Sequence, residues 1–193
     1  MVIIVRLEWE LHFFEIVIPA WQAYLRAEDA LTHALNHGGP VDRTRYDAFR
    51  EGGAAAFYLH HYADIIAAER PVFLPAHVKD VRKVREWIAM NCRMMRSDKH
   101  VSDVALLGDV ADALKHSQLT KRIEEREVVA RGAVIVIASG MGMFGFGEGK
   151  FGGADQVIVF ANSGARPLTT ILQNVIDAWR RSIGWDLPAV GEA

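Results

Sequence analysis

The sequence predicts an α+β fold that is mostly helical, a helical bundle with a small antiparallel sheet, in a single domain over residues 1–193. Three observations carry this expectation. Apolar residues recur at the helical period over much of residues 20–122. Runs of β-branched residues come only later, on either side of a glycine-rich stretch. A strongly amphipathic segment then closes the ordered pattern. Helices and strands segregated along the chain make an α+β domain rather than an alternating α/β one.

Taken in order, residues 3–13 alternate, with Ile3, Val5, Leu7, Trp9, Leu11 and Phe13 on one side. That period of two predicts an N-terminal strand, with a helix kinked at Pro19 as the competing reading. Pro19 suits the first turn of a helix from Ala20 to about Asn36, which Gly38-Gly39-Pro40 stops. Residues 41–51 are polar and basic and form a loop or a short helix. A second helix over about Gly53–Glu69 places Ala55, Tyr58, Leu59, Tyr62, Ala63 and Ile66 on one side, and Arg70-Pro71 ends it. A third, over about Ala76–Arg96, has Val78, Val81, Val84 and Ile88 as its inner face. The fourth, Asp103–Arg122, is N-capped by Ser102 or Asp103 and buries Leu106, Leu107, Val110, Ala113 and Leu114. Val128-Val129 and Ala133–Ala138 read as β, and Gln156–Ala161 as a second strand. Asn162-Ser163-Gly164 is a turn signal. The last helix runs from Leu168 to Ile183, with Leu168, Ile171, Leu172, Val175, Trp179 and Ile183 on one face and Gly184 just past its end.

Composition narrows the function classes. Hydrophobic residues are 51% and charged residues 24% of the chain, ordinary values for a soluble globular protein. A net charge of −2 gives no general electrostatic case for nucleic acid, and DNA is not indicated, although a local basic patch is compatible with it. One cysteine, Cys92, is too few for an internal disulfide or a cysteine-based zinc site and fits a reducing compartment. The opening MVIIVRLEWEL does not read as a signal peptide, and no apolar run reaches membrane-spanning length. The expected location is the cytoplasm. The expected assembly is a homodimer through the last helix or the apolar N-terminus.

Two polar stripes are the first candidate site. His60 and Asp64 are four apart on the second helix; Asp112 and His116 are four apart on the fourth, with Asp109 one turn behind. If those helices are neighbours, the stripes meet, and imidazoles with carboxylates projecting from facing helices are how bundles hold a divalent metal. A hydrogen-bonded polar seam and a plain solvated face are the alternatives. The second candidate is the glycine stretch SGMGMFGFGEGKFGGAD. It spells G-x-G-x-x-G from Gly140 to Gly145, but no helix follows to hold a pyrophosphate, and Phe151 after Gly149-Lys150 excludes a Walker A loop. It reads as a long hairpin loop whose phenylalanines pack back, with Gly145, Gly147, Lys150 and Gly152 as a ligand or partner contact. Lys115, Lys121, Arg122, Arg126 and Arg131 are interleaved with Glu124, Glu125 and Glu127 and read as a solvated charged segment. Cys92 reads as a small buried hydrophobe.

Three stretches, FYLHHYADII (57–66), DVALLGDVADALKHSQLTKR (103–122) and FGEGKFGGADQVIVF leading to LTTILQNVIDAWRR (146–181), resemble a group of short uncharacterised bacterial proteins. That group has a helical front and a glycine-rich β segment before a last Trp-bearing helix. The likeness implies the same layout and no particular activity. A further stretch, RMMRSDKH (93–100), falls where a helix end meets a loop and, in a helical chain, resembles the HEPN ribonucleases. The resemblance implies that Arg93 or Arg96 with His100 acts on an RNA phosphodiester, the guanidinium stabilising the phosphorane and the imidazole moving the proton. The leading expectation is therefore an RNA-directed HEPN-like protein. The alternatives are a metal-dependent bundle enzyme using His60, Asp64, Asp109, Asp112 and His116, and a non-catalytic dimeric or small-molecule-binding protein.

Overall fold

In the computed structural model, which describes residues 8–92, 102–116, 123–138, 144, 150 and 154–185, the N-terminal segment is helical rather than extended. Helix α1 (Glu8–His12) runs through a π-helical turn (Phe13–Val17) into α2 (Ile18–His37). The strand expected over residues 3–13 is thereby corrected for residues 8–13. Trp9, Phe13, Val17 and Trp21 recur every four residues and are all buried, whereas Leu11, which alternation would have placed beside Trp9, is exposed. The π turn has a local cause. Proline at 19 lacks an N–H and its ring would clash with the carbonyl four residues back, so the preceding turn widens. The Ile18 N–H accordingly donates to the Phe13 carbonyl, a five-residue step. Helix α2 stops where expected, at Gly38 with φ 74°.

Helix α3 spans Val41–Glu69. It therefore absorbs residues 41–51 and begins well before Gly53, the expected start. The adjacent Gly52 serves contact: a Cβ there would lie 2.9 Å from Leu168 and 3.0 Å from Tyr24. Arg70 ends the helix in the left-handed region, φ 50°, immediately before Pro71. Helix α4, Val81–Asn91, starts later than expected because Asp80 caps it by accepting from the Lys83 N–H at 2.9 Å, and residues 93–96 of the expected helix lie outside the described residues. Helix α5, Asp103–His116, starts at Ser102, whose hydroxyl accepts from the Val104 N–H.

Strands β1 (Val134–Ala138), β2 (Asp155–Ala161) and β3 (Gly164–Pro167) form an antiparallel sheet in that order, with Val136 opposite Val157 and Val159 opposite Arg166. The Asn162-Ser163 turn thus opens a third strand. Helix α6 is Leu168–Ile183, capped by Gly184 at φ 77°. Its apolar face is spent inside this chain: Leu168, Ile171, Leu172, Val175 and Trp179 belong to one core shared with α2, α3, α5 and the sheet. No described helix is long and apolar enough to cross a membrane.

Among the described residues, the buried carboxylates of two helix residues, Glu28 and Asp103, tie their helices to the sheet. Glu28 of α2 accepts from the Tyr24 hydroxyl and from the Val157 N–H, both at 2.9 Å. Asp103 of α5 accepts from both arms of Arg166 and from Asn174.

Candidate functional site

The two polar stripes do meet. Helices α3 and α5 approach closely at Gly108, where an added Cβ would lie 2.9 Å from His60 Cε1. A bulkier residue there would hold the imidazole away. Helix α4 closes the third side, and the three enclose an open cleft of about 520 Å³. His60 and His61 line it from α3, Asp109 and Asp112 from α5. Arg82, Arg85 and Glu86 line it from α4, and Arg126 completes it from the segment after α5.

The partners differ from those the spacing suggests. Asp64 pairs with His61, not His60: His61 Nδ1 donates to Asp64 Oδ2 at 2.6 Å, and Arg85 donates to the other oxygen at 3.2 Å. Three residues along a helix bring the two side chains together as readily as four. Asp109 and Asp112 both accept from Arg126, at 3.1 and 3.0 Å, and Asp109 also accepts from the Glu127 N–H. Arg126 is therefore held in the seam, which corrects the solvated reading for this residue, while Lys115, Glu124, Glu125 and Arg131 of the same run are exposed. The turn after β2 positions it, since Glu127 accepts from the Ser163 N–H and Asn162 donates to the Arg126 carbonyl.

His60 is the least committed polar group of the cleft. Among the described residues no hydrogen-bond partner meets its ring. Burial, reinforced by the Arg85 and His61 charges, lowers its pKa to about 4. It is thus a neutral imidazole at physiological pH. Burial also raises the Asp109 pKa, against its bonds to Glu127 and Arg126. The linkage has a definite sign. An unfolded histidine takes a proton below about 6.5, the folded His60 only near 4, so His60 costs stability as pH falls through that window. Wild type is expected to lose stability between pH 6.5 and 4 more steeply than His60→Gln, and the His60 ring proton resonance should titrate near pH 4.

His116 is the exposed last residue of α5 and stands away from this cleft. Among the described residues, no group of three His, Cys, Asp or Glu side chains is arranged to hold a metal ion. Each of the three carboxylates that the metal reading needs instead has one oxygen on a guanidinium, Asp109 and Asp112 on Arg126 and Asp64 on Arg85. Arg93, Arg96 and His100, and Gly145, Gly147 and Gly152, lie outside the described residues. Lys150, at the end of the glycine stretch, reaches α2: its ammonium donates to the Thr32 hydroxyl at 2.7 Å and to the Glu28 carbonyl, and pairs with the Glu28 carboxylate. Cys92 is half-buried against the core, and burial pushes its thiol up to about 12.

Sequence reasoning passed over His61, Arg82 and Arg85. The i, i+3 spacing of His61 and Asp64 was the available signal for the first, and the i, i+4 spacing of Arg82 and Glu86 for the second; Arg85 carries none, because its partner Asp64 sits on another helix. No family model matches the chain, and neither a curated protein nor a solved structure is similar to it.

Proposed function

We propose that this chain binds a small polar molecule in the cleft between α3, α4 and α5. The observation that supports the reading is His60, a neutral imidazole with no hydrogen-bond partner among the described residues, lining a cleft of about 520 Å³. Pockets of roughly 300–1,000 Å³ with a few convergent polar groups are where small ligands bind. A ligand acceptor or donor placed against the ring would give the imidazole a direct protein-bound partner in exchange for cleft water.

The test is a thermal-shift screen of small polar metabolites against the wild type and Gly108→Ala. A ligand that binds only the folded state stabilises it by RT ln(1 + [L]/Kd), about 2.7 kcal/mol at a hundredfold excess over Kd. Gly108→Ala pushes the His60 ring aside, while helix propensity gains roughly 0.5–1 kcal/mol from the change. The variant is expected to fold with near-wild-type stability and to lose most of the ligand shift. Equal shifts in both proteins would remove the cleft as the site. The competing reading, an RNA-directed HEPN-like activity, has its own signature. Metal-independent cleavage of single-stranded RNA that disappears in both Arg93→Ala and His100→Ala would replace the small-molecule reading.

A further inference from the structure

We propose that the cleft is catalytic, with His61 as a general acid–base for hydrolysis of a small carboxylic ester and Asp64 as its positioning residue. This rests on the ligand-binding reading above and adds a reaction to it. The imidazole is held from several sides. Its Nδ1 donates to Asp64 Oδ2 at 2.6 Å, which leaves Nε2 as the nitrogen with a free lone pair. Arg85 of α4 holds the carboxylate by its other oxygen at 3.2 Å. The Phe57 ring lies 4.4 Å from the His61 ring, centroid to centroid. With 37% of its side chain exposed, His61 remains reachable from the cleft that it lines. A base fixed in one tautomer by a carboxylate, beside guanidinium donors, is the arrangement that activates water and stabilises an oxyanion.

Charge selects the substrate class. Arg82, Arg85 and Arg126 in the lining are matched by Glu86, Asp109 and Asp112. The lining therefore carries no net charge to recruit or neutralise a doubly charged phosphate monoester, whose entry would have to break these ion pairs, whereas an uncharged acyl ester leaves them intact. Arg82 is the least engaged guanidinium, 78% exposed and 3.7 Å from Glu86, and serves as the oxyanion donor. In the reaction, His61 Nε2 takes a proton from water as the water oxygen bonds to the acyl carbon. The resulting imidazolium is stabilised by Asp64. The bond from the acyl carbon to the alkoxy oxygen then breaks, and the leaving oxygen takes the proton back from Nε2. Water and ester become acid and alcohol, with no other reactant.

The experiment is p-nitrophenyl acetate hydrolysis by the full chain, with His61→Ala, His61→Gln, Asp64→Asn and the exposed-histidine control His77→Ala. Melting curves run beside it confirm that each variant is folded. The wild type and His77→Ala are expected to turn over alike, and both His61 variants to lose on the order of 100-fold or more. Asp64→Asn should lower kcat with KM unchanged, as a tautomer defect does and a packing defect does not. A wild-type rate no greater than that of equimolar free imidazole overturns the proposal, as does a wild-type rate in either His61 variant. Faster hydrolysis of p-nitrophenyl phosphate overturns the substrate class. An inert protein that still shows the Gly108-dependent ligand shift leaves binding standing and catalysis refuted; loss of both refutes both.

Discussion

Asp103→Ala should cost about 3–5 kcal/mol of unfolding free energy, the range for removing one partner of a buried ion pair. The carboxylate is fully buried. Arg166 of β3 holds both its oxygens, at 2.7 and 3.1 Å, and Asn174 of α6 donates to it at 2.6 Å. One side chain at the start of α5 therefore fastens that helix to the sheet edge and to the last helix. Removing it leaves the Arg166 charge, whose side chain is 14% exposed, without its carboxylate in a site with little water. Asp103→Asn keeps the shape and one acceptor and should fall between wild type and alanine. Urea unfolding measures this: the midpoint should drop with the m-value unchanged, since the surface exposed on unfolding is the same. A loss below about 1 kcal/mol would mean that solvent reaches Arg166 and the pair behaves as a surface one.

The sequence made some elements plain because their signals are local. Helix α6 carries an unbroken 3.6-residue apolar stripe, and Gly184 supplies the left-handed residue that ends it, so its limits coincide with the expected Leu168–Ile183. Helix α2 ends at Gly38 for the same reason. The N-terminal segment misled because Trp9, Leu11 and Phe13 fit a period of two and Trp9, Phe13, Val17 and Trp21 a period of four. Only the core decides between those patterns, and it takes the second set. The second helix is expected from about Gly53, whereas the helix runs through that position and Gly52 is a crossing point where Tyr24 and Leu168 leave no room for a side chain.

The cleft divides in the same way. His60, Asp64, Asp109 and Asp112 were visible as stripes because helical spacing is enough to align them. Which guanidinium each carboxylate takes is a tertiary matter. Arg126 reaches Asp109 and Asp112 only because Glu127 and Asn162 fix its backbone beside the β2–β3 turn. Arg85 reaches Asp64 only because α4 packs beside α3. A guanidinium on a polar helix face looks the same in sequence whether it ends in water or against a carboxylate.

Trp179→Ala is expected to be as damaging as the loss of Asp103, about 3–5 kcal/mol, and by a different route. The indole is 2% exposed, with the Tyr62 ring edge-on at a 4.7 Å centroid distance and Trp87 on another side at 6.4 Å. Truncation removes both the transfer free energy of the ring and the contacts of its neighbours, because a packed interior collapses only partly into the space. The position also matters for the site. Trp179 lines a void of about 10 Å³ together with His60 and Arg85, directly under residues that line the cleft. Alanine there would open that void toward His60 and let water reach the imidazole from below. The His60 pKa should then rise from about 4 toward the ordinary histidine value as its burial is relieved. Trp179→Phe, which keeps an aromatic floor, should lose less stability and leave His60 titrating near its wild-type value. Urea unfolding and the His60 ring proton resonance read the two effects separately. A large stability loss with an unchanged His60 titration would show that the core closes over the gap and that the cleft floor does not depend on the indole.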